Sequence, residues 1–189
     1  MRAAPIWLAS WLVIGVLACS RSPAPRAPSN EVRTEIARAE TAERARQHEV
    51  ARKHYQRAIE LAHDPVSAAF ARRELAETLI SWGEYDQAII ELEAVVDLAP
   101  AHAAAWHDLG MLYHQRGDNE RAMAALERSR AAAPRDPRPR ITLAVLRWKR
   151  GDLAGATREY RELLELDLPD GLRSKVKWAL DELARRQPP

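Results

Sequence analysis

The chain has 189 residues, of which 47 % are apolar, with seven Gly and a single Phe. That is enough for one domain with a continuous core, and the composition suits helices better than a β-sandwich. Its 29 basic and 27 acidic residues nearly balance; with Arg2, Arg21 and Arg26 set aside, residues 31–189 hold 26 against 27, which gives no ground for a general affinity for nucleic acid.

Residues 1–18 begin with one positive charge, Arg2, and continue as an apolar run from Ile6 to Ala18 broken only by Ser10 and Gly15. This is the layout of a secretory signal, too short to span a bilayer comfortably, which takes roughly 20 apolar residues. The run stops at Val16-Leu17-Ala18-Cys19, which resembles the lipobox of bacterial lipoproteins. The resemblance implies cleavage after Ala18 and lipidation of Cys19, the only cysteine, which cannot form an internal disulfide. An ordinary secreted protein or an uncleaved anchor is the alternative. Ser20 stands where Asp resembles an inner-membrane retention signal, so the outer membrane, facing the periplasm, is the expected destination. Residues 19–30 carry Pro23, Pro25 and Pro28 and form an extended tether; at about 3.1 Å per residue, the stretch after the cysteine reaches about 34 Å.

Gly83, Gly117 and Gly151 lie 34 residues apart, and each opens a similar stretch: Gly-Glu-Tyr-Asp-Gln-Ala, Gly-Asp-Asn-Glu-Arg-Ala and Gly-Asp-Leu-Ala-Gly-Ala. A fixed period of this length predicts stacked helical hairpins. Each glycine can take the left-handed conformation that ends a helix, and Asp118 and Asp152 favour the start of the next. Pro100 and Pro134 follow the first two glycines by seventeen residues and Pro169 the third by eighteen, ending each second helix.

The segment Ala105-Trp106-His107-Asp108-Leu109-Gly110-Met111-Leu112-Tyr113, completed by Gly117, Ala122 and Pro134, resembles the tetratricopeptide repeat family. The fold this implies is all-α, a right-handed superhelical solenoid of helical hairpins. Small residues stand where two helices must approach closely: Ala76 with Ala88, Gly110 with Ala122, and Ala144 with Ala156, beside Leu75, Leu109 and Leu143. The clear repeats are 69–102, 103–136 and 137–170. Arg72 and Arg140 stand where the family often has Trp, and Arg147 where Tyr113 sits; their stems are expected to pack on the surface with solvated heads. Residues 31–68 form a degenerate repeat or one long helix, since Arg46-Gln47 replaces the turn glycine. Within 171–189, Leu172, Val176, Ala179, Leu180 and Leu183 recur at helical spacing, as in a capping helix with a polar outer face.

No motif for catalysis or cofactor binding is present: there is no phosphate loop, nucleophile elbow or paired cysteine, so neither catalytic residues nor a cofactor is expected. His48-Glu49 with His54 is not a zinc pair, because six residues put the two imidazoles on roughly opposite helix faces. His107 and His114 share a face but lie about 10 Å apart along the axis.

By the same resemblance, the first helix of each hairpin lines a concave groove that holds a partner. Its residues would be Phe70, Arg73, Glu77 and Ile80, then Ala104, His107, Met111 and His114, then Arg138, Ile141, Val145 and Trp148. The basic and Asn clamp of some family members is absent, and Met111, Ile141, Val145 and Trp148 point instead to an apolar trough for a peptide or helix. Charge is segregated: residues 74–98 carry seven acids and no bases, residues 121–150 nine bases and two acids. This either orients a partner, draws in a second copy, or is compensated between outer faces. The expected function is that of an envelope scaffold or adaptor tethered to the membrane through lipid on Cys19, which binds an envelope protein or peptide and serves complex assembly. The alternative is a self-associating structural lipoprotein.

Overall fold

A computed structural model describes residues 27–186, so the signal segment and Cys19 lie outside the described residues. Among those residues there are nine helices and no strand: α1 (Asn30–Arg44), α2 (His48–Glu60), α3 (Pro65–Trp82), α4 (Tyr85–Leu98), α5 (Ala103–Gln115), α6 (Asn119–Ala132), α7 (Pro137–Lys149), α8 (Leu153–Leu164) and α9 (Asp170–Arg186). Consecutive helices pack on one another along the array, most closely within the pairs α1–α2, α3–α4, α5–α6 and α7–α8, and α9 lies against α8.

Local chemistry sets the turns. Gly83, Gly117 and Gly151 have φ of 81°, 85° and 85°. At each, the glycine N–H and the next N–H turn back onto the preceding helix, as where Glu84 donates to the Leu79 carbonyl at 2.9 Å and Asp118 to that of Tyr113 at 2.9 Å. The helix starts are capped by side chains: Asp64 accepts from Val66 and Ser67, Asp118 from Arg121, Asp136 from Arg138 and Asp152 from Gly155. Pro65 and Pro137 occupy the first turn, where no backbone donor is needed.

Residues 31–63 form a hairpin whose turn uses the same hydrogen bonds without glycine. Gln47 donates to the Ala42 carbonyl at 2.9 Å, and Arg46 adopts φ 56°, the only positive φ of a non-glycine among the described residues. A side chain in this conformation is sterically penalised, whereas glycine pays mainly chain entropy. Arg46→Gly is therefore expected to stabilise the protein by a few tenths to about 1 kcal/mol, read as a higher urea midpoint; a lowered midpoint would contradict this account of the turn.

Ala76, Ala88, Ala122, Ala144 and Ala156 are fully buried, with Leu75, Leu109 and Leu143 at 5 % exposure or less beside them. In the first hairpin the large core residue is Tyr55, whose hydroxyl donates to Glu43 while accepting from Thr78. Burial pushes this phenol above its ordinary pKa. The apolar interior falls into two clusters. One runs from Val32 to Leu146; the other joins Ala144, Ala156, Tyr160 and Leu163 to Val176, Ala179 and Leu183 of α9. α7 straddles both, giving Leu143 and Leu146 to the first and Ala144 to the second. α9 covers the end of the array, yet its outer face is not wholly polar, because Trp178 is 62 % exposed.

Candidate partner-binding groove

The side chains expected to line a groove come from α3, α5 and α7, and all of them reach the surface. Glu77, Met111, Arg138 and Val145 are exposed; Phe70, Arg73, Ile80, His107, His114, Ile141 and Trp148 are half-buried. They do not share one environment. Phe70 and Ile80 pack on the first core cluster, and Ile141 and Trp148 on the second. Trp148 stands edge-on to Tyr160 with ring centroids 6.4 Å apart, and the Arg186 guanidinium lies 5.6 Å from its ring. The freely offered apolar surface is Met111 and Val145, and Met111 Sδ lies 3.8 Å from Thr142 Oγ1, which joins α5 to α7.

A row of charge crosses the same helices. Arg73 pairs with Glu77 and approaches Glu74 at 3.9 Å. Asp108, the residue after His107, acts on both Arg73 of α3 and Arg138 of α7, helping to raise the pKa of each guanidinium. His107 Nδ1 lies 3.3 Å from Asp108 Oδ1. Arg138 donates to both carboxylate oxygens of Asp136, at 2.7 to 3.1 Å. This pairing holds the Asp136 carboxyl below the usual range, with a smaller contribution from His107. At the other end, burial raises the Glu74 carboxyl, assisted by Glu77, Glu40 and Glu43, so the α1–α3 end of the row is crowded with acid. Asp108 and Glu74, 34 residues apart at one repeat position, escaped the sequence reading, which took only the positions just before them, Arg73 and His107.

His114 does not join the apolar patch. Its Nδ1 lies 2.8 Å from Asn119 Oδ1, and it borders an open cleft of 500 Å³ also lined by Met123, Leu146, Lys149 and Arg150. Two other histidines are engaged separately: His48 stacks on Trp82 at 4.4 Å, and His54 Nδ1 lies 2.7 Å from Glu35.

The structure corrects one expectation and bears on another that the sequence left open. The heads of Arg72, Arg140 and Arg147 are paired, not solvated: Arg72 with Glu91 at 2.6 Å, Arg140 with Glu159 and Glu162, and Arg147 with Glu127 at 2.8 Å. Glu159, 3 % exposed, also takes Arg130 at 2.5 Å, so one buried carboxylate meets guanidiniums from α6 and α7. The segregated charge is largely neutralised between neighbouring helices. Acids of 74–98 meet Arg52 of α2, Arg72 of α3, Arg116 after α5 and Arg121 of α6, through Glu84, Glu91, Asp86 and Glu93.

Residues 79–146 match the tetratricopeptide repeat family. No curated protein sequence matches the chain significantly. Two crystal structures of MamA are similar in fold: one with a TM-score of 0.65 at 17 % identity, over 82 % of this chain and 87 % of that one, the other with 0.62 at 22 %, over 72 % and 78 %. The type III secretion chaperone SycD of Yersinia enterocolitica, crystallised with a peptide of the translocator YopD, is similar with a TM-score of 0.56 at 19 % identity, over 61 % of this chain and 91 % of that one. The fold is thus an all-α solenoid of the tetratricopeptide kind.

Proposed function

From a solenoid whose central hairpins are tetratricopeptide repeats, we propose that this chain is a non-enzymatic interaction scaffold of the bacterial cell envelope, anchored by lipid on Cys19 at the outer membrane and facing the periplasm. Its partner is a peptide or helix of an envelope protein, received on the α3–α5–α7 face. The observation that carries this reading is the exposure of Met111 and Val145, at 41 % and 36 %, on adjacent first helices. Apolar side chains held out of a core by a rigid backbone are what an amphipathic segment needs to dock. Such a segment would lay its apolar side on Met111 and Val145 and meet the charged row of Arg73, Asp108 and Arg138 beside them. The peptide-bound SycD structure, of similar fold, supports a segment as ligand. Pairing of most of the segregated charge within the chain weakens the case for the self-associating alternative.

The test is photo-crosslinking in cells from position 111, with position 56 on the exposed side of α2 as control. A distinct envelope protein joined only from position 111 is the expected product. Equal yields from both positions, or adducts of the chain with itself, would overturn the reading. The anchor is tested separately: Cys19→Ala is expected to move the protein from the membrane to the soluble fraction.

A further inference from the structure

The second helices of the hairpins are separated by grooves floored by the first helices, and one groove differs from its neighbours. At the position of Arg72, Trp106 and Arg140, 34 residues apart, and at that of Glu91, Ala125 and Glu159, the flanking repeats hold an Arg–Glu pair while the central repeat holds Trp and Ala. In the flanking repeats the pair is made, Arg72 to Glu91 and Arg140 to Glu159, which ties the first helix to the second. In the central repeat the Trp106 indole instead donates to the Pro100 carbonyl at 2.9 Å. A cleft of 440 Å³ remains between α4 and α6, floored by Trp106, Leu109, Tyr113 and Ala125. That volume lies within the roughly 300–1,000 Å³ of ligand sites. Around α5, this floor is turned roughly 130° from His107, Met111 and His114, so the cleft is not part of the groove described above.

The walls carry opposite charge. Glu93 and Asp97 stand on the α4 side, Arg121 and Arg128 on the α6 side. Glu93 accepts from Tyr113 and sits 4.0 Å from Arg121, whose guanidinium lies 5.4 Å from the Tyr113 ring. The side chains of Asp97 and Arg128, both exposed, form no ion pair or hydrogen bond among the described residues, although both line the cleft. An aromatic floor with one unpaired acid and one unpaired base on facing walls complements a ligand that brings an apolar body and both signs of charge. We infer that this cleft is a second docking site, for a peptide segment in which a bulky apolar side chain is flanked by an acidic residue on one side and a basic residue on the other. The apolar side chain lies on Trp106 and Tyr113, the carboxylate meets Arg128 and the cation meets Asp97.

The probe is acetyl-Asp-Phe-Lys-amide, compared with acetyl-Asp-Phe-Asp-amide and acetyl-Lys-Phe-Lys-amide. The readout is the NMR resonance of the Trp106 indole N–H in the full chain, with those of Trp82, Trp148 and Trp178 as internal controls. The mixed peptide is expected to shift the Trp106 signal saturably, with several-fold tighter binding than either single-sign peptide. Arg128→Glu is expected to transfer the preference to the Lys peptide and Asp97→Lys to the Asp peptide. Both residues are exposed and unpaired, so these variants keep the fold. Ala124→Trp, at an exposed rim position, is expected to fill the cleft and abolish the shift. A shift spread evenly over the control tryptophans, or a preference indifferent to both charge reversals, would overturn the proposal. Loss of crosslinking at position 111 would not affect it.

Discussion

Replacing Glu159 with alanine is expected to lower the unfolding free energy by about 3–5 kcal/mol, among the larger effects of a single change in this chain. Glu159 is buried, and its carboxylate accepts from Arg130 and Arg140, with Arg147 3.8 Å away. Arg140 also meets Glu162, and Arg147 also meets Glu127 and Asp152, but Glu159 is the one buried acid among the three guanidiniums and the one acid paired with Arg130. Without it Arg130 loses its partner and the cations repel across a desolvated site. Arg140 and Arg147 are least able to escape, at 14 % and 17 % exposure, and the Nε of each is already buried without a partner. For a protein of this length the loss corresponds to roughly 10 °C in melting temperature. A second variant separates charge from packing. Arg140→Trp with Glu159→Ala copies the Trp106 and Ala125 pair of the central repeat and removes one guanidinium together with the carboxylate. The double variant is expected to be more stable than Glu159→Ala alone; if it is less stable, uncompensated charge is not the cause.

The second large effect is expected at Gly110. A Cβ added there would lie 2.6 Å from Leu126 Cγ and 3.2 Å from the Ala122 carbonyl oxygen, so α5 and α6 are closer than a methyl group allows. Gly110→Ala is expected to cost about 1–3 kcal/mol through overpacking, and Gly110→Leu more, since its branched end has no free volume to enter. The matching positions hold Ala76 and Ala144, both fully buried, so their hairpins are already spaced for a methyl group. Urea unfolding of the two variants measures the cost. An unchanged midpoint for Gly110→Leu would be incompatible with the α5–α6 contact.

These two sites show what was legible in the residues alone. The close approach at Gly110 could be read directly, because a 34-residue period places a small residue at the same point of each hairpin and one of them is glycine. The same period located Gly83, Gly117 and Gly151 at the turns, since a left-handed helix end has a strong residue preference. The arginine pairs were not read, although the residues were noticed. Glu91 and Glu159 lie nineteen positions after Arg72 and Arg140, on the second helix of each hairpin, and no helical periodicity links them. Superposing the three repeats reveals the link, because Arg–Glu, Trp–Ala and Arg–Glu vary together. For the groove, the repeat register identified side chains that do reach the surface. It could not rank them: the cover over Trp148 comes from Arg186 at the end of α9, outside any repeat, while Met111 and Val145 stay exposed.

The division of the apolar interior has a mechanical meaning for any ligand of that face. α7 belongs to both parts, through Leu143 and Leu146 on one side and Ala144 on the other, so a shift in its packing is felt by the whole array. A segment resting on Met111 and Val145, as proposed, would bear on α5 and on this shared helix. Binding there would then stabilise both parts of the core at once, and the melting temperature is expected to rise with ligand concentration.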